Sequence, residues 1–367
     1  MNNQKDISYL YMAYGLAEKA KGWTSPNPYV GAVVVQKDTI VGTGYHEQPG
    51  KPHAEAIALQ KAGNLSQNST LYLTLEPCVH WGRTPPCIDK ILRSGLKRVV
   101  VSSLDPNPAV YTRGITQMRE AGIDVSVGLL DEKNRSLNEI YWKYITRKIP
   151  FIISKVALSL DGKIATRTFS SQWISSSQTR EYVHLLRGEC DAIMVGINTL
   201  LQDDPLLTVR HPHWEGKRIT RVIVDSNLRF PTYARILSTI PQGDIWVFTL
   251  KDPGSPKARS LKHKGVKIIS TAPSSSRGVD LKEVFNRLGK QEISSVFVEG
   301  GGHLLTSLLE EKLIDKIFVN ISPKLIGGEK APGFFGGQGV KQVKDSLQLK
   351  KIRSFHIQDD IMVEGYF

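Results

Sequence analysis

The stretch HAEAIALQKAG, beginning at His53, opens an apolar helical pattern with a histidine and Glu55 two positions apart. Two cysteines follow in LEPCVHWGRTPPC, Cys78 and Cys87, each preceded by a proline. No other feature constrains the fold as much, because one nitrogen and two sulfurs from separate segments must converge on a point. Catalytic zinc commonly takes three protein ligands and keeps a fourth position open. His53, Cys78 and Cys87 supply that set. Glu55 does not suit a fourth ligand: two helical positions on, it points about 200° around the axis from His53. At a helix start it can still reach round to the open position, where a carboxylate can shuttle protons. Pro52 suits a first-turn position, which puts the histidine where the helix begins. Cys87, after Pro86, lies near the start of the next helix, whose dipole favours a thiolate. The competing readings are a structural zinc or two buried thiols. A structural zinc usually has four protein ligands, and the spare residue nearby is His80.

A chain of 367 residues predicts two domains, and 40% apolar with 23% charged residues is ordinary for globular folds. The formal charge of +13 is spread over both halves rather than gathered in one patch, which argues against nucleic-acid binding. It fits a soluble surface or attraction for phosphorylated small molecules. Three cysteines make no disulfide framework. The N-terminal segment is an amphipathic helix pattern without a signal-peptide core, and no apolar run reaches the roughly 18 residues of a membrane span. A reducing cytoplasm is expected.

Along residues 1–148 the patterns alternate: a helix over 6–21, strands in VGAVVVQKD and TIVGTGYH, then HAEAIALQKAG as helix. TLYLTLEP is a strand, PCIDKILRSG a helix, KRVVVSSLDP a strand, GITQMREAG a helix and IDVSVGLL a strand. That order predicts a three-layer α/β domain on a mixed five-stranded sheet, with a last helix over roughly 131–146. The boundary is expected near 148, in ITRKIPF. Residues 149–367 are again α/β: strands in FIISKVALSLDG, CDAIMVG, RITRVIVDS, GDIWVFT, VKIIS, SSVFVEGGG and DKIFVNISPKL, with helices near 176–188, 280–290 and 303–311. SPKARSLKHKG and TAPSSSRG read as surface connections. Cys190 reads as a small buried hydrophobe.

H-x-E followed by P-C and a second cysteine is the mark of zinc deaminases, although here the second cysteine comes after eight residues rather than two. TSPNPYVGAVVV, PHAEAIAL, LEPCVHWGRTPPC and LDPNPAVYTRG together resemble the deaminase half of the bifunctional riboflavin-biosynthesis deaminase–reductases. The expanded loop separates them from nucleoside and tRNA deaminases. One departure is V-Y-T-R-G after D-P-N-P, where the family has a small-residue stretch; Tyr111 and Thr112 are the odd residues. The resemblance implies a cytidine-deaminase-like three-layer α/β/α domain over 1–148. Its implied substrate is 2,5-diamino-6-(5-phosphoribosylamino)pyrimidin-4(3H)-one, deaminated with release of ammonia. It also implies zinc on His53, Cys78 and Cys87, and Glu55 as the proton shuttle. Asn27 could read the pyrimidine edge, and His80 or Arg83 could meet the 5′-phosphate.

SSVFVEGGGHLLTSLLE is a strand, a glycine turn and a helix, without the G-x-G-x-x-G dinucleotide fingerprint. Its glycines and helix start suit a phosphate. With KVALSLDGKIA, SSQWIS, LLRGECDAIMVGINTLLQDDPLLTVR and RVIVDSNLRFP it resembles the reductase half of the same family. That implies a dihydrofolate-reductase-like α/β domain over 149–367 that uses NADPH and turns the ribosylamino group into a ribitylamino group. Near the cofactor the resemblance places Ala157, Trp173, Thr199, Asp203 and Ser226. It adds the turn of Gly301, Gly302, His303, Leu304, Leu305, Thr306 and Ser307, and Asp203 is also counted as catalytic. Near the substrate it places Ser171, Arg187, Leu207, Arg210 and Glu299, with two arginines suited to a ribose phosphate. The partners expected are a phosphorylated pyrimidine and further copies of the chain, not nucleic acid or membrane. The rival readings are a tRNA or nucleotide deaminase fused to an unrelated domain, and a binding protein with one inactive domain.

Overall fold

The computed structural model describes residues 3–82, 85–274 and 278–367, and the chain divides into two units, Met1–Lys148 and Ile149–Phe367. In the first unit the order is α1 (Asn3–Ala17), β1 (Gly31–Gln36), β2 (Thr39–Tyr45), α2 (Ala54–Ala62), β3 (Thr70–Leu73), α3 (Ile88–Arg93), β4 (Arg98–Val101), α4 (Arg113–Glu120) and β5 (Asp124–Val127). The strands make one sheet in the order β2-β1-β3-β4-β5. β1 runs antiparallel to β2 and β3, and β3, β4 and β5 are parallel.

Strand alternation builds the three layers. Val33 and Val35 of β1, Tyr72 of β3 and Val100 of β4 face α1 through Leu10 and Ala13. Their neighbours Ala32, Val34, Leu71, Leu73, Val99 and Val101 face the other way, onto residues of α2, α3 and α4. Successive strand residues point to opposite faces, so both faces can be apolar only if helices cover both. Helix α2 lies close on β2 because that strand has glycines at the contact. A Cβ on Gly42 would sit 2.1 Å from Ala58 O, and one on Gly44 2.3 Å from Ala54 O. This approach sets the height of the start of α2, where His53 stands.

The single helix expected over 131–146 is two, α5 (Asp131–Leu137) and α6 (Glu139–Arg147). Asn138 breaks it. Its Oδ1 accepts from Tyr29 N at 2.7 Å and its Nδ2 donates to Tyr29 O at 3.1 Å, a tertiary contact that local propensity does not encode.

The second unit comprises β6 (Phe151–Ser159), α7 (Ser177–Gly188), β7 (Ala192–Gly196), α8 (Ile197–Asp203), β8 (Thr220–Val224), β9 (Ile245–Thr249), α9 (Pro256–His263), β10 (Val266–Ser270), α10 (Leu281–Lys290), β11 (Ser295–Glu299), α11 (Gly302–Glu310), β12 (Lys316–Ser322), β13 (Lys350–Ile357) and β14 (Asp360–Tyr366). Its nine-stranded sheet has the order β10-β9-β8-β7-β11-β6-β12-β14-β13. Pairing is parallel from β10 to β12, and the hairpin β13–β14 adds an antiparallel edge. Strand β11 slots between β6 and β7, the place where the strand order turns back. Ligand crevices form at such points, beyond the carboxyl ends of the strands.

SPKARSLKHKG is not a plain surface connection, because α9 occupies it. Ser255 caps the helix by accepting from Ala258 N, Pro256 is its first residue, and Ala258 and Leu261 are buried. Two short polar faces hid those two apolar residues in the sequence. TAPSSSRG contains residues 275–277, which lie outside the described residues; Pro273 bridges Val279 across it. Cys190 is fully buried, as expected.

Candidate functional site

In the first unit three loops and helix starts converge. His53 is the N-cap of α2, with extended backbone at φ −77°, ψ 164°. His53 thus precedes the helix, its side chain is not held on the helical wheel, and the expected angle of about 200° between it and Glu55 does not hold. Cys87 is the N-cap of α3. The His53 Nδ1 atom lies 3.6 Å from Cys78 Sγ and 3.0 Å from Cys87 Sγ, and all three donor atoms fall within 4.8 Å of one another. Metal–sulfur and metal–nitrogen bonds of about 2.3 and 2.0 Å put tetrahedral donors at such separations. The Cys87 N–H also donates to Cys78 Sγ at 3.3 Å.

Electrostatics agree with a cation-binding donor set. The Cys78 thiol is pulled down to about 4, chiefly by its hydrogen bond with Cys87 and against the effect of burial. Cys87 is pushed up by the same bond and by burial. Without a cation the two sulfurs compete for one proton; a divalent metal lets both be thiolates. Glu55 is 3% exposed, and its Oε2 is buried with no hydrogen-bond partner among the described residues. Burial raises its pKa, with His53 opposing. A buried orphan carboxylate oxygen is costly unless something is meant to bind there. The residues fit zinc with an open position beside Glu55.

Asn27 is half-buried, and its Nδ2 lies 3.0 Å from Nε2 of His46. Sequence reasoning missed His46. It is 2% exposed, its Nδ1 lies 3.4 Å from Pro52 O, and its ring meets that of His53 edge-on at 5.0 Å. Burial, then His53, lowers its pKa to about 4. A second histidine seven positions before His53 was the available signal. His80 is exposed, and Arg83 lies outside the described residues.

In the second unit Glu299, the last residue of β11, pairs through both carboxylate oxygens with Nε and Nη2 of Arg187 on α7. Arg187 Nη1 donates to Thr208 O at 3.2 Å, and Arg210 Nη1 to Thr208 Oγ1 at 3.4 Å. The two arginines thus brace one short loop, in which Leu207 is buried and left-handed at φ 50°. Burial pushes Glu299 up, but Arg187 and Lys155 outweigh it and hold the carboxyl low. Lys155 and His184 were missed. Burial lowers Lys155, against the pull of Glu299. Burial, then Arg187 and Arg210, brings His184 to about 4, and its Nδ1 accepts from Arg210 N at 3.1 Å. A lysine inside the apolar strand FIISKVALS was a readable signal.

On the other side of β7, Asp203 ends α8 and accepts from Ser171 Oγ at 3.3 Å; burial raises its pKa. Its neighbour Asp204 takes the left-handed cap position and accepts from Arg235 N at 2.9 Å. Thr199 Oγ1 accepts from Gly301 N at 3.2 Å, tying the start of α8 to the start of α11. Gly301 caps α11 and Gly302 begins it, so this helix start is bare of side chains. His303 is exposed there, while Leu304, Leu305 and Thr306 are buried in the body of the helix. Ser307 Oγ bonds back to His303 O at 3.1 Å. Trp173 is 61% exposed, with the Arg180 guanidinium 4.5 Å over its ring. Ser226 follows β8, one strand further from Glu299 than β7, and its Oγ accepts from Val279 N at 3.2 Å. Ala157 lies in β6 opposite Asn320.

A cytidine-deaminase-like α/β unit with a His/Cys/Cys group, followed by an α/β unit whose polar cluster lies at a switch point, defines the deaminase–reductase class. Known proteins agree. Residues 3–103 match the cytidine and deoxycytidylate deaminase zinc-binding region, and residues 150–363 match the RibD C-terminal domain. The riboflavin biosynthesis protein RibD of Aquifex aeolicus is 45% identical over 99% of both chains. That of Escherichia coli is 37% identical, over 97% of this chain and 98% of its own. Among solved structures, a diaminohydroxyphosphoribosylaminopyrimidine deaminase/5-amino-6-(5-phosphoribosylamino)uracil reductase from Thermotoga maritima is 33% identical. It superposes with a TM-score of 0.87 over 100% of this chain and 99% of its own. Acinetobacter baumannii RibD, also 33% identical, reaches 0.89 over 99% of each chain. This chain belongs to the RibD family of riboflavin biosynthesis, and it is an enzyme with both a deaminase and a reductase domain. The reading of an unrelated second domain is thereby overturned. Among the described residues, no helix is long and apolar enough to cross a membrane.

Proposed function

We propose that the first unit deaminates 2,5-diamino-6-(5-phosphoribosylamino)pyrimidin-4(3H)-one and that the second reduces the resulting ribosylaminouracil with NADPH. The observation that carries this reading is the His53, Cys78, Cys87 donor set beside the orphan oxygen of Glu55. Zinc on those three ligands supplies Lewis acidity that makes water nucleophilic near neutral pH. Glu55 would take the first proton from the attacking water and pass it to the ring nitrogen, then take the second from the hydroxyl now on C2 and give it to the departing amine. The C2 amino group leaves as ammonia and the water oxygen stays on the ring. Asn27, held by His46, meets the pyrimidine edge and sets its orientation.

In the second unit, bound NADPH would supply a hydride to C1′ of the substrate's open-chain imine, whose nitrogen takes up a proton to leave a ribitylamino group. The bare start of α11 at Gly301 and Gly302 takes a cofactor phosphate on its N–H groups. Thr199, bonded to Gly301 N, and Ser226 join it in holding the cofactor, and Asp203, whose pKa burial raises, carries a proton toward the reacting sugar. Arg187 and Arg210, braced on Thr208, meet the ribose phosphate. Both substrates are then one phosphorylated pyrimidine at successive stages, which accounts for two domains in one chain. The test is metal analysis with ammonia release and NADPH oxidation on the diaminopyrimidine. About one zinc per chain with both activities supports the reading; full deamination by metal-free protein refutes it.

A further inference from the structure

The loop between β4 and α4 hangs on one buried carboxylate that the roles above leave unused. Glu76 stands two positions before Cys78 and is 3% exposed. Its Oε1 accepts from the N–H of Gly114 at 3.0 Å and of Ile115 at 3.3 Å. Its Oε2 accepts from the N–H of Asp105 at 3.2 Å and of Thr112 at 3.1 Å. The Glu76 N–H itself donates to Ser103 O at 2.9 Å. One side chain thus satisfies four backbone donors spread from the beginning of the loop to the first turn of α4. Bonds to a charged acceptor are the stronger kind, and buried N–H groups without them would be costly.

The loop conformation is imposed rather than local. Thr112 is left-handed at φ 62°, a region that β-branched residues avoid. Gly114 approaches so closely that a Cβ would lie 2.7 Å from Pro77 O. From the other side, the Asp105 carboxylate accepts from Asn107 N at 2.8 Å and from Tyr141 OH at 2.9 Å. Pinned this way, the loop leaves Tyr111 and Arg113 exposed and Asn107 half-buried, directly beside the turn that carries Cys78.

We propose that Glu76 is a positioning residue. It clamps residues 105–115 onto the Cys78 turn, so that the metal-ligand turn and the side chains of Asn107, Tyr111 and Arg113 form one surface for the phosphoribosylamino part of the substrate. The substrate half of this statement rests on the deaminase reading above; the clamp does not. The clamp also accounts for the unusual Tyr111-Thr112 pair, because Glu76 grips backbone N–H groups and is indifferent to the side chains there.

The test uses the full-length zinc-loaded protein with Glu76→Gln, and with Gly114→Ala as a second variant that loosens the same joint from the opposite side. Amide hydrogen exchange over residues 104–116 should lose protection in both variants, while zinc stays near wild type. Retained zinc reports that the first unit is folded, and NADPH oxidation on the uracil substrate that the second is. For ammonia release, KM should rise at least about 10-fold while kcat changes by less than about 3-fold, the scale of one or two lost charged hydrogen bonds. An unchanged KM with exchange protection lost would overturn the role of the loop. Partial loss of zinc with KM unchanged in the fraction that keeps it would also overturn it, because Glu76 would then serve Cys78 alone. If wild-type protein released no ammonia from this pyrimidine, the substrate reading would fall, and exchange alone would decide the clamp.

Discussion

The metal cluster of the first unit comes from one short stretch, His53 to Cys87, and its groups are poised. Without a cation its two sulfurs compete for a proton, and a buried carboxylate oxygen meets no partner among the described residues. The polar cluster of the second unit comes from residues between Lys155 and Ser307, and its charges are already matched. Glu299 meets Arg187 with both oxygens, and Arg187 also holds Thr208. A site that must take up a cation and move protons keeps its groups unsatisfied. One that must bind a large anionic ligand in a fixed pose has its arginines held in place beforehand, so less ordering remains to be done on binding.

Removing a ligand from the poised site should have the largest effect. Cys87→Ser should lose zinc and ammonia release together, read by metal analysis, while NADPH oxidation on the deaminated uracil persists. Next, Glu55→Gln should keep its zinc and lower ammonia release at least about 100-fold, since an amide cannot shuttle a proton. The same variant tests the separateness of the sites. Were a folded, zinc-loaded Glu55→Gln protein also unable to oxidise NADPH, one shared site would have to replace two.

The matched site should respond in stability as well as rate. Glu299→Gln leaves Arg187 charged and mostly buried, with its partner neutralised, and should cost about 3 kcal/mol in urea unfolding of the second unit along with NADPH oxidation. Gain of stability would mean the pair is retained for something other than holding the loop.

The smallest effect sharpens the contrast through pH. The Glu299 pKa is depressed below 4.5, so its stabilisation is full above that value and is lost as pH falls through the folded pKa. Asp105 behaves oppositely. Burial raises it from 3.8 to about 6, so the native state binds a proton that the unfolded chain does not, and stability is lost as pH rises between those values. Unfolding of wild type and Asp105→Asn, compared from pH 4 to 6, should show the variant gaining on wild type by about 2 kcal/mol across that range. A difference flat with pH would show that Asp105 is not protonated in the fold.

Much of the first unit was present in the sequence alone. Apolar alternation in VGAVVV and TLYL required a sheet covered on both faces, and His53, Cys78 and Cys87 stood at element boundaries that proline marked. These are local signals: a strand's period and a helix start depend on neighbours a few residues away. The turn at Gly301 was legible for the same reason. What only the tertiary structure decided was carried by long-range partners. Asn138 split a helix because it reaches Tyr29. Glu76 passed as one more residue of LEPC until it met four N–H groups of a loop nearly thirty and more residues on. His46 gained meaning only by touching Asn27. Lys155, on a strand that reads as apolar, joined Arg187 and Glu299 only because β11 inserts between β6 and β7. Hydrogen bonds and ion pairs act over a few ångströms in space, and the chain brings their partners together only after its strands have taken their order.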